Sequence, residues 1–228
     1  MKNLNQIKNQ FNSQELFEQA LTHRSWINEN PGIREMNERL EFLGDAVLEY
    51  VVSKELYKNL PDKEEGFLTS LRANIVNTKN LALLAKKLDV GNMIFLSKGE
   101  DAGGGRENSS LLADTVEAII GAIFMDKGIE EAEKFIIENL LDDLDQKLLE
   151  PLKDPKSLLQ ERVQADGYPT PKYEVIEQQG PDHSKVFTVE VQVGNKRLAT
   201  GKGHSKSIAE QDSAKNALEK IEVKGYNT

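Results

Sequence analysis

The chain contains no cysteine and only three histidines. Without cysteine it can form neither a disulfide nor a zinc site built on thiolates. The histidines, His23, His183 and His204, are scattered along the sequence, which shows no His-Asp pair and no HExxH motif. These absences disfavour a phosphohydrolase of the HD type. They also exclude a cysteine nucleophile and leave a serine nucleophile without a triad to support it.

Long apolar runs are missing as well. The longest, AIIGAIFM at 118–125, includes Gly121 and is far shorter than the roughly 20 residues of a membrane span. The first residues, MKNLNQIKNQF, lack the apolar core of a signal peptide. The 228 residues are 38% hydrophobic and 29% charged. We therefore expect one or two globular domains in the cytoplasm, with no membrane partner.

Charge is distributed unevenly along the chain. The net charge of −9 by itself disfavours a nucleic-acid partner. Residues 1–151 carry 17 basic and 27 acidic side chains, whereas residues 152–228 carry 12 and 11. Because the excess acid lies entirely in the first part, we expect two modules with different functions.

The stretch NERLEFLGDAVLEY at 37–50 predicts a helix with an unusual acidic row. At about 100° per residue, its apolar and acidic side chains fall on opposite sides. The apolar stripe consists of Leu40, Leu43, Val47 and Val51, and the acidic row of Glu38, Glu41, Asp45 and Glu49. Stacked like charges cost about 0.2–0.5 kcal/mol per pair. A bound cation would offset this repulsion, although an ordinary solvated helix face also explains the row.

A second helix is predicted for LLADTVEAIIGAIFM at 111–125, where Asp114, Thr115 and Glu117 are the polar side chains. Such a helix is buried, and buried carboxylates are costly unless they are paired or bind metal. The segment supplies no basic partner, so we favour metal over a salt bridge to a distant arginine. Together with Glu41 and Asp45, these acids would form an all-oxygen site suited to Mg²⁺ or Mn²⁺.

Helices are expected throughout the first module, at roughly 13–21, 36–59, 64–76, 78–88, 109–126 and 130–148. GEDAGGGREN at 99–108 predicts a flexible loop, with Asn108-Ser109 capping the second acidic helix. Gly44 and Gly121 lie inside the two acidic helices. Since glycine costs up to about 1 kcal/mol in a helix interior, we expect a close approach of the two backbones.

The second module reads α-β-β-β-α. Asp154-Pro155 predicts the start of a helix that ends at Gly167. KYEVIE, KVFTVEVQV and KRLATGKG predict strands, and a last helix covers about 206–222. The domain boundaries expected from these patterns are 1–150, a linker at 151–155, and 156–228.

The motifs NERLEFLGDAVLE and LADTVEAIIGAIF, followed by residues 154–221, resemble bacterial ribonuclease III over nearly the whole chain. The resemblance implies an all-α endonuclease domain followed by a small α+β domain that binds double-stranded RNA. It also implies a homodimer in which Phe42 packs into the partner, and no organic cofactor. The expected reaction hydrolyses double-stranded RNA, leaving 5′-phosphate and 3′-hydroxyl ends with short 3′ overhangs. Expected substrates are ribosomal RNA precursors and other structured transcripts.

The resemblance also assigns roles to individual residues. The implied metal ligands, for Mg²⁺ with Mn²⁺ as a substitute, are Glu41, Asp45, Asp114 and Glu117. The implied catalytic residues are Asp45 and Glu117, assisted by Glu38 and Glu65. All six acids are present, whereas the alternative function, a non-cleaving regulator that binds double-stranded RNA, predicts that at least one is lost.

RNA contacts are implied on three surfaces of the second module. The residues concerned are Ser157, Gln160 and Glu161 on the first helix, His183 in the loop GPDHSK, and Lys202 and Lys206 near the last helix. Double-stranded RNA is recognised by shape, with contacts to 2′-hydroxyls and phosphates. The family often has two consecutive basic residues where this chain has Lys206-Ser207, which implies a somewhat weaker phosphate contact.

Overall fold

The computed structural model describes residues 4–142, 144, 154–181 and 185–224. The chain divides into two compact units, Met1–Glu150 and Pro151–Thr228. No helix in the described part of the chain is long and apolar enough to cross a membrane.

The first unit is helical. Its helices are α1 (Leu4–Lys8), α2 (Gln14–Ala20), α3 (Arg24–Glu29), α4 (Glu38–Asn59), α5 (Glu65–Ile75), α6 (Thr78–Leu88), α7 (Lys98–Ala102), α8 (Ser109–Lys127) and α9 (Ile129–Ile136). A π-helical turn at Ile137–Leu141 follows α9. The six helices expected from periodicity are present as α2, α4, α5, α6, α8 and α9. The predicted end of the last one, at 148, lies outside the described residues. The short helices α1, α3 and α7 were not predicted, because five or six residues are too few to show a period.

Helices α4 and α8 form the centre of this unit, and two glycines allow them to touch. A Cβ atom on Gly44 would lie 1.8 Å from the carbonyl oxygen of Glu117. One on Gly121 would lie 2.1 Å from the carbonyl oxygen of Leu40. No other residue fits at either position, so the expected close approach of the two backbones is confirmed. Within the predicted apolar stripe of α4, Leu43 is only half-buried, while the other three members are buried.

The segment 99–108 is ordered, and our expectation of a flexible loop was wrong. It contains α7 and a 3₁₀ turn at Gly105–Glu107. The guanidinium of Arg106 donates two hydrogen bonds to Asp101, of 2.7 and 3.0 Å, and others to the carbonyls of Gly91 and Ile94. These long-range contacts leave no pattern in the local sequence. Asn108 caps α8 as predicted. Its side chain accepts hydrogen bonds from the backbone amides of Ser110 and Leu111.

The second unit has the predicted α-β-β-β-α order. Helix α10 (Pro155–Ala165) precedes the strands β1 (Lys172–Gln179), β2 (Val186–Val193) and β3 (Lys196–Gly203), and α11 (Lys206–Lys224) follows. The strands form an antiparallel sheet in the order β1-β2-β3. Its core joins both helices to the sheet through Leu159, Val163, Val191, Val193, Ala199, Ala214, Ala217 and Ile221.

The ends of α10 agree with the sequence signals. Asp154 accepts hydrogen bonds from the amides of Lys156 and Ser157, and Gly167 has a φ of +78°. Residues 151–153 of the expected linker lie outside the described residues. One strand side chain is unusually buried for a carboxylate: Glu190 on β2 is 7% exposed. It is covered because Arg197 Nε lies 3.2 Å from its carboxylate and Gln192 donates to it.

Candidate active site

Three carboxylates from two helices meet in the first unit. Glu41 on α4 and Asp114 and Glu117 on α8 each offer an oxygen atom, and these atoms lie within 4.8 Å of one another. The glycine contact between α4 and α8 brings the two acidic faces together. Because all three side chains project from helices with buried apolar faces, their spacing is held by the core rather than by a loop.

The electrostatics of this cluster are those of crowded, half-buried anions. Burial, followed by the charges of Asp45, Asp114 and Glu41, raises the pKa of Glu117 from 4.5 to about 7. Burial also raises the pKa of Glu41, with Asp114, Glu38 and Asp45 adding to the shift. Burial raises the pKa of Asp114, and the nearby charge of His23 opposes this increase. A cation bound among the three would relieve both the desolvation and the mutual repulsion.

The donor atoms suit a hard divalent cation. The cluster offers carboxylate oxygens and no sulfur or imidazole nitrogen. Mg²⁺ and Mn²⁺ prefer such ligands, and Mg²⁺ is commonly bound through only a few carboxylates, with water and substrate phosphate completing its coordination. The residues present therefore fit the cation that the sequence predicts.

The other predicted acids occupy different positions. Asp45 is exposed and is not one of the three clustered residues, although its charge contributes to the raised pKa of Glu117. Glu38 is also exposed, and its carboxylate lies 3.6 Å from the guanidinium of Arg24. Glu65 begins α5, where it accepts a hydrogen bond from Thr69 of 3.1 Å. The structure therefore brings together three of the six predicted acids.

A cavity of about 500 Å³ opens beside the cluster. Its lining comprises His23, Arg24, Asn37, Glu38, Glu41, Leu111 and Asp114. Sequence reasoning missed the first three, which lie in or beside the short helix α3 and at the cap of α4. His23 and Asp114, which no sequence pattern connects, both line this cavity. No local signal could have shown this proximity, since the two residues are far apart in the sequence.

The predicted RNA contacts of the second unit lie mainly on its surface. Gln160 and Glu161 are exposed on α10, and Lys202 and Lys206 are exposed on β3 and at the first residue of α11. The Ser157 hydroxyl, also exposed, donates a hydrogen bond of 2.6 Å to the capping carboxylate of Asp154. His183 lies outside the described residues.

Helix α4 also carries exposed aromatic side chains. Phe42 is 80% exposed, Tyr50 56% and Tyr57 77%. The spacing of 8 and 7 residues places them on one face of the helix, and the exposed Ala46 lies between the first two. We call these four residues the α4 stripe. An exposed apolar patch of this kind marks an interaction surface.

Two sequence families match the chain. A family described as Ribonuclease-III-like matches residues 13–144, and the double-stranded RNA binding motif matches residues 155–221. A protein of Natranaerobius thermophilus named Ribonuclease 3 is 44% identical over 203 residues, covering 89% of this chain and 88% of that protein. One of the same name from Roseiflexus is 43% identical over 218 residues, covering 93% and 91%.

A solved structure also resembles the first unit. It is the nuclease domain of ribonuclease III from Campylobacter jejuni, described as showing structural flexibility in a region involved in dimer formation. The likeness has a TM-score of 0.55 at 39% identity and covers 61% of this chain and 99% of that one.

Proposed function

Because this chain belongs to the ribonuclease III family and is an endoribonuclease acting on double-stranded RNA, we propose that its clustered carboxylates bind Mg²⁺, on which cleavage depends. The observation that carries this proposal is the meeting of Glu41, Asp114 and Glu117 within 4.8 Å. Mn²⁺, with the same ligand preference, is expected to substitute. No organic cofactor is needed for the hydrolysis.

The proposed reaction breaks a phosphodiester bond of each strand and leaves 5′-phosphate and 3′-hydroxyl ends with short 3′ overhangs. When bound, the cation supplies Lewis acidity and a clamp for the phosphate. Protons and cations compete for the carboxylate of Glu117, because its pKa of about 7 without metal lies near neutral pH. Glu117 must therefore lose its proton when the site is loaded.

The exposed acids complete the proposed site. Asp45 stands one helical turn after Glu41 on α4, and we assign it as a fourth ligand that also takes part in catalysis. Glu38, which lines the same cavity, and Glu65 at the start of α5 are proposed to assist. A non-cleaving regulator is not favoured, since all six acids are retained.

The second unit is proposed to hold the duplex. Ser157, Gln160 and Glu161 on α10 offer polar groups suited to 2′-hydroxyls, while Lys202 and Lys206 suit phosphates. The amino terminus of α11, which begins at Lys206, adds its backbone amides to the phosphate contact. His183 belongs to the same proposal. The proposed substrates are ribosomal RNA precursors and other structured transcripts, so we place the enzyme in the cytoplasm.

We also propose that the enzyme is a homodimer in which the α4 stripe, and Phe42 above all, packs against the partner. A phenylalanine that is 80% exposed leaves most of its apolar surface in water, and burying it in an interface would stabilise the dimer. The reported dimer-forming region of the Campylobacter jejuni nuclease domain supports this proposal.

Cleavage of a perfect RNA duplex tests the proposed function. The full chain is incubated with duplex RNA in Mg²⁺ and, in a parallel reaction, in excess EDTA, and the products are resolved on a denaturing gel. Defined fragments should form only in Mg²⁺, and each isolated strand should stay intact. Equal cleavage in EDTA would exclude dependence on a divalent cation.

A further inference from the structure

The outer edge of strand β3 is covered by side chains of α11. In the described part of the second unit, β3 pairs with β2 on one side and with no strand on the other. Its outward backbone groups therefore need other partners. Three side chains of α11, which we call the edge ladder, supply them. The Lys202 amide donates to Asp212 (2.8 Å), and the carbonyls of Thr200 and Leu198 accept from Asn216 (2.9 Å) and Lys220 (3.1 Å).

The spacing of the edge ladder matches the strand. Its side chains are four residues apart on α11, and their partners are two residues apart on β3. Four residues of an α-helix rise about 6.0 Å, and two residues of a strand rise about 6.7 Å. Because the helix and the strand run in opposite directions along this edge, each step of one meets a step of the other. The edge ladder therefore holds α11 and β3 in one register.

Lys202 stands at the end of the edge ladder, between two glycines that pack against α11. A Cβ on Gly201 would lie 2.1 Å from the amide nitrogen of Ser213, and one on Gly203 would lie 2.6 Å from that of Ala209. Since side chains alternate along a strand, the exposed side chain of Lys202 projects away from α11. The placement of its ammonium therefore depends on how firmly the backbone is held.

The carboxylate of Asp212 is unfavourable here on grounds of charge. Lys202 and Lys206 are the proposed phosphate contacts, and a carboxylate bonded to the backbone of one of them repels an approaching phosphate within about 10 Å. A charged acceptor, however, makes a stronger hydrogen bond to an amide than a neutral one does. This bond gives Asp212 a positional role that offsets the repulsion.

We propose that Asp212 is a positioning residue of the RNA-binding surface: by holding the Lys202 amide, it fixes Lys202 relative to the start of α11, where Lys206 lies. The inference rests on the proposed RNA contacts of these two lysines. A lysine whose backbone is held before binding loses less conformational freedom when it contacts a phosphate. The role predicts an effect on affinity for double-stranded RNA and on the number of phosphate contacts.

Two substitutions of one residue separate the hydrogen bond from the charge. Asp212→Ala removes the acceptor, whereas Asp212→Asn keeps a carbonyl oxygen at the same distance from the backbone. Because both variants lose the negative charge, the difference between them isolates the hydrogen bond. Asn216→Ala is the matched control, since it removes the edge-ladder bond to Thr200 and leaves the bond to Lys202 in place.

The measurement is fluorescence anisotropy of a duplex RNA with the full chain in EDTA, over a range of salt concentrations, with a melting curve for each variant. Asp212→Ala should bind about three- to tenfold more weakly than Asp212→Asn, the cost of ordering one long side chain on binding. Its slope of log affinity against log salt concentration should be smaller by about 1. Asn216→Ala should bind within twofold of the wild type, even where it melts earlier.

A second comparison places the effect at Lys202. In a chain that also carries Lys202→Ala, the difference between Asp212→Ala and Asp212→Asn should disappear, because two residues that act through one contact are not additive. A difference that persisted undiminished there would overturn the proposal.

Equal affinity of Asp212→Ala and Asp212→Asn, within twofold, would also overturn it, as would a loss in Asn216→Ala as large as that in Asp212→Ala. If Asp212→Ala does not fold, Asp212→Ser, whose hydroxyl ends one bond short of the carboxylate oxygen, replaces it in the same comparison. Wild-type affinity and salt slope for Lys202→Ala alone would instead reject the proposed RNA contact on which the inference rests.

Discussion

Gly44 on α4 lies against the backbone of Glu117 on α8, so closely that a Cβ on Gly44 would stand 1.8 Å from the Glu117 carbonyl oxygen. A second contact of the same kind places Gly121 of α8 against the backbone of Leu40 on α4. Two helices can approach this closely only where neither has a side chain. Because Gly44 and Gly121 have no Cβ atom, the two helices pack close together, and this packing sets the distance between the acids of α4 and those of α8.

Replacing Gly44 by alanine should lower the free energy of unfolding by about 3 kcal/mol or more, because the added methyl group meets backbone that cannot yield. Gly66→Ala in the first turn of α5 is the control: nothing lies within 4 Å of the added Cβ, so the free energy of unfolding should change by no more than about 0.5 kcal/mol. Urea unfolding of both variants tests the contact. Equal stability of the two would show that α4 and α8 do not touch here.

The metal-free enzyme should become less stable as the pH rises from about 4.5 to 7. The folded pKa of Glu117 is about 7 against an ordinary value of 4.5, so the native chain binds more protons than the unfolded chain in this range, and stability falls as those protons leave. Glu41 and Asp114 shift in the same direction. Melting temperatures in EDTA at several pH values measure the slope.

Glu117→Gln removes the most strongly shifted group and should flatten this pH dependence, while added Mg²⁺ should restore stability to the wild type above pH 7. A wild-type chain that became steadily more stable over the same pH range would contradict the crowding of the three acids.

A charge on the α4 stripe should dissociate the dimer. Phe42→Asp places a carboxylate where the proposed interface needs an apolar side chain, so the full chain should sediment as a monomer at micromolar concentration. Leu83→Asp is the control, since Leu83 is an exposed apolar residue on α6, 48% exposed, outside the stripe. Wild-type sedimentation of the Phe42 variant would place the interface elsewhere.

Lys206→Ala should weaken duplex binding to a similar extent for unrelated RNA sequences, because a phosphate contact does not depend on the bases. It should also reduce the slope of log affinity against log salt concentration by about 1, as expected for the loss of one phosphate contact. Lys172→Ala on β1 removes an exposed lysine from the same unit and should leave both quantities unchanged. Fluorescence anisotropy in EDTA measures binding without cleavage. An unchanged slope for Lys206→Ala would remove it from the RNA surface.

The parts of the site that follow a helical period could be predicted from the sequence. The acidic row of α4 and the two carboxylates of α8 stand out because helix faces repeat every 3.6 residues. The meeting of the two helices could also be expected, because glycines inside both need a reason. These signals are local. They predicted Glu41, Asp45, Asp114 and Glu117 as neighbours, and the observed cluster contains all of these except Asp45.

The rest of the cavity depends on contacts between distant segments. His23 is placed by its hydrogen bond to Phe95, and the 99–108 segment by the bonds of Arg106 to Gly91 and Ile94. Neither interaction produces a periodic pattern in the amino-acid sequence. Glu65 shows the reverse situation. The family resemblance assigns it to the site, whereas in the structure of one chain it lies outside the three-acid cluster.

Glu117→Gln tests the central claim most directly, with melting, duplex binding and single-turnover cleavage in Mg²⁺ measured on one preparation. Glutamine keeps the size and one oxygen but removes the charge that holds a divalent cation. Cleavage should fall by orders of magnitude, each factor of ten corresponding to about 1.36 kcal/mol of transition-state stabilisation. Duplex binding should persist, and the melting temperature in EDTA above pH 7 should hold or rise, because a crowded buried charge is removed. A variant that melts earlier and still cleaves duplex RNA at near the wild-type rate would contradict the account, because Glu117 would then be a structural residue and not a metal ligand.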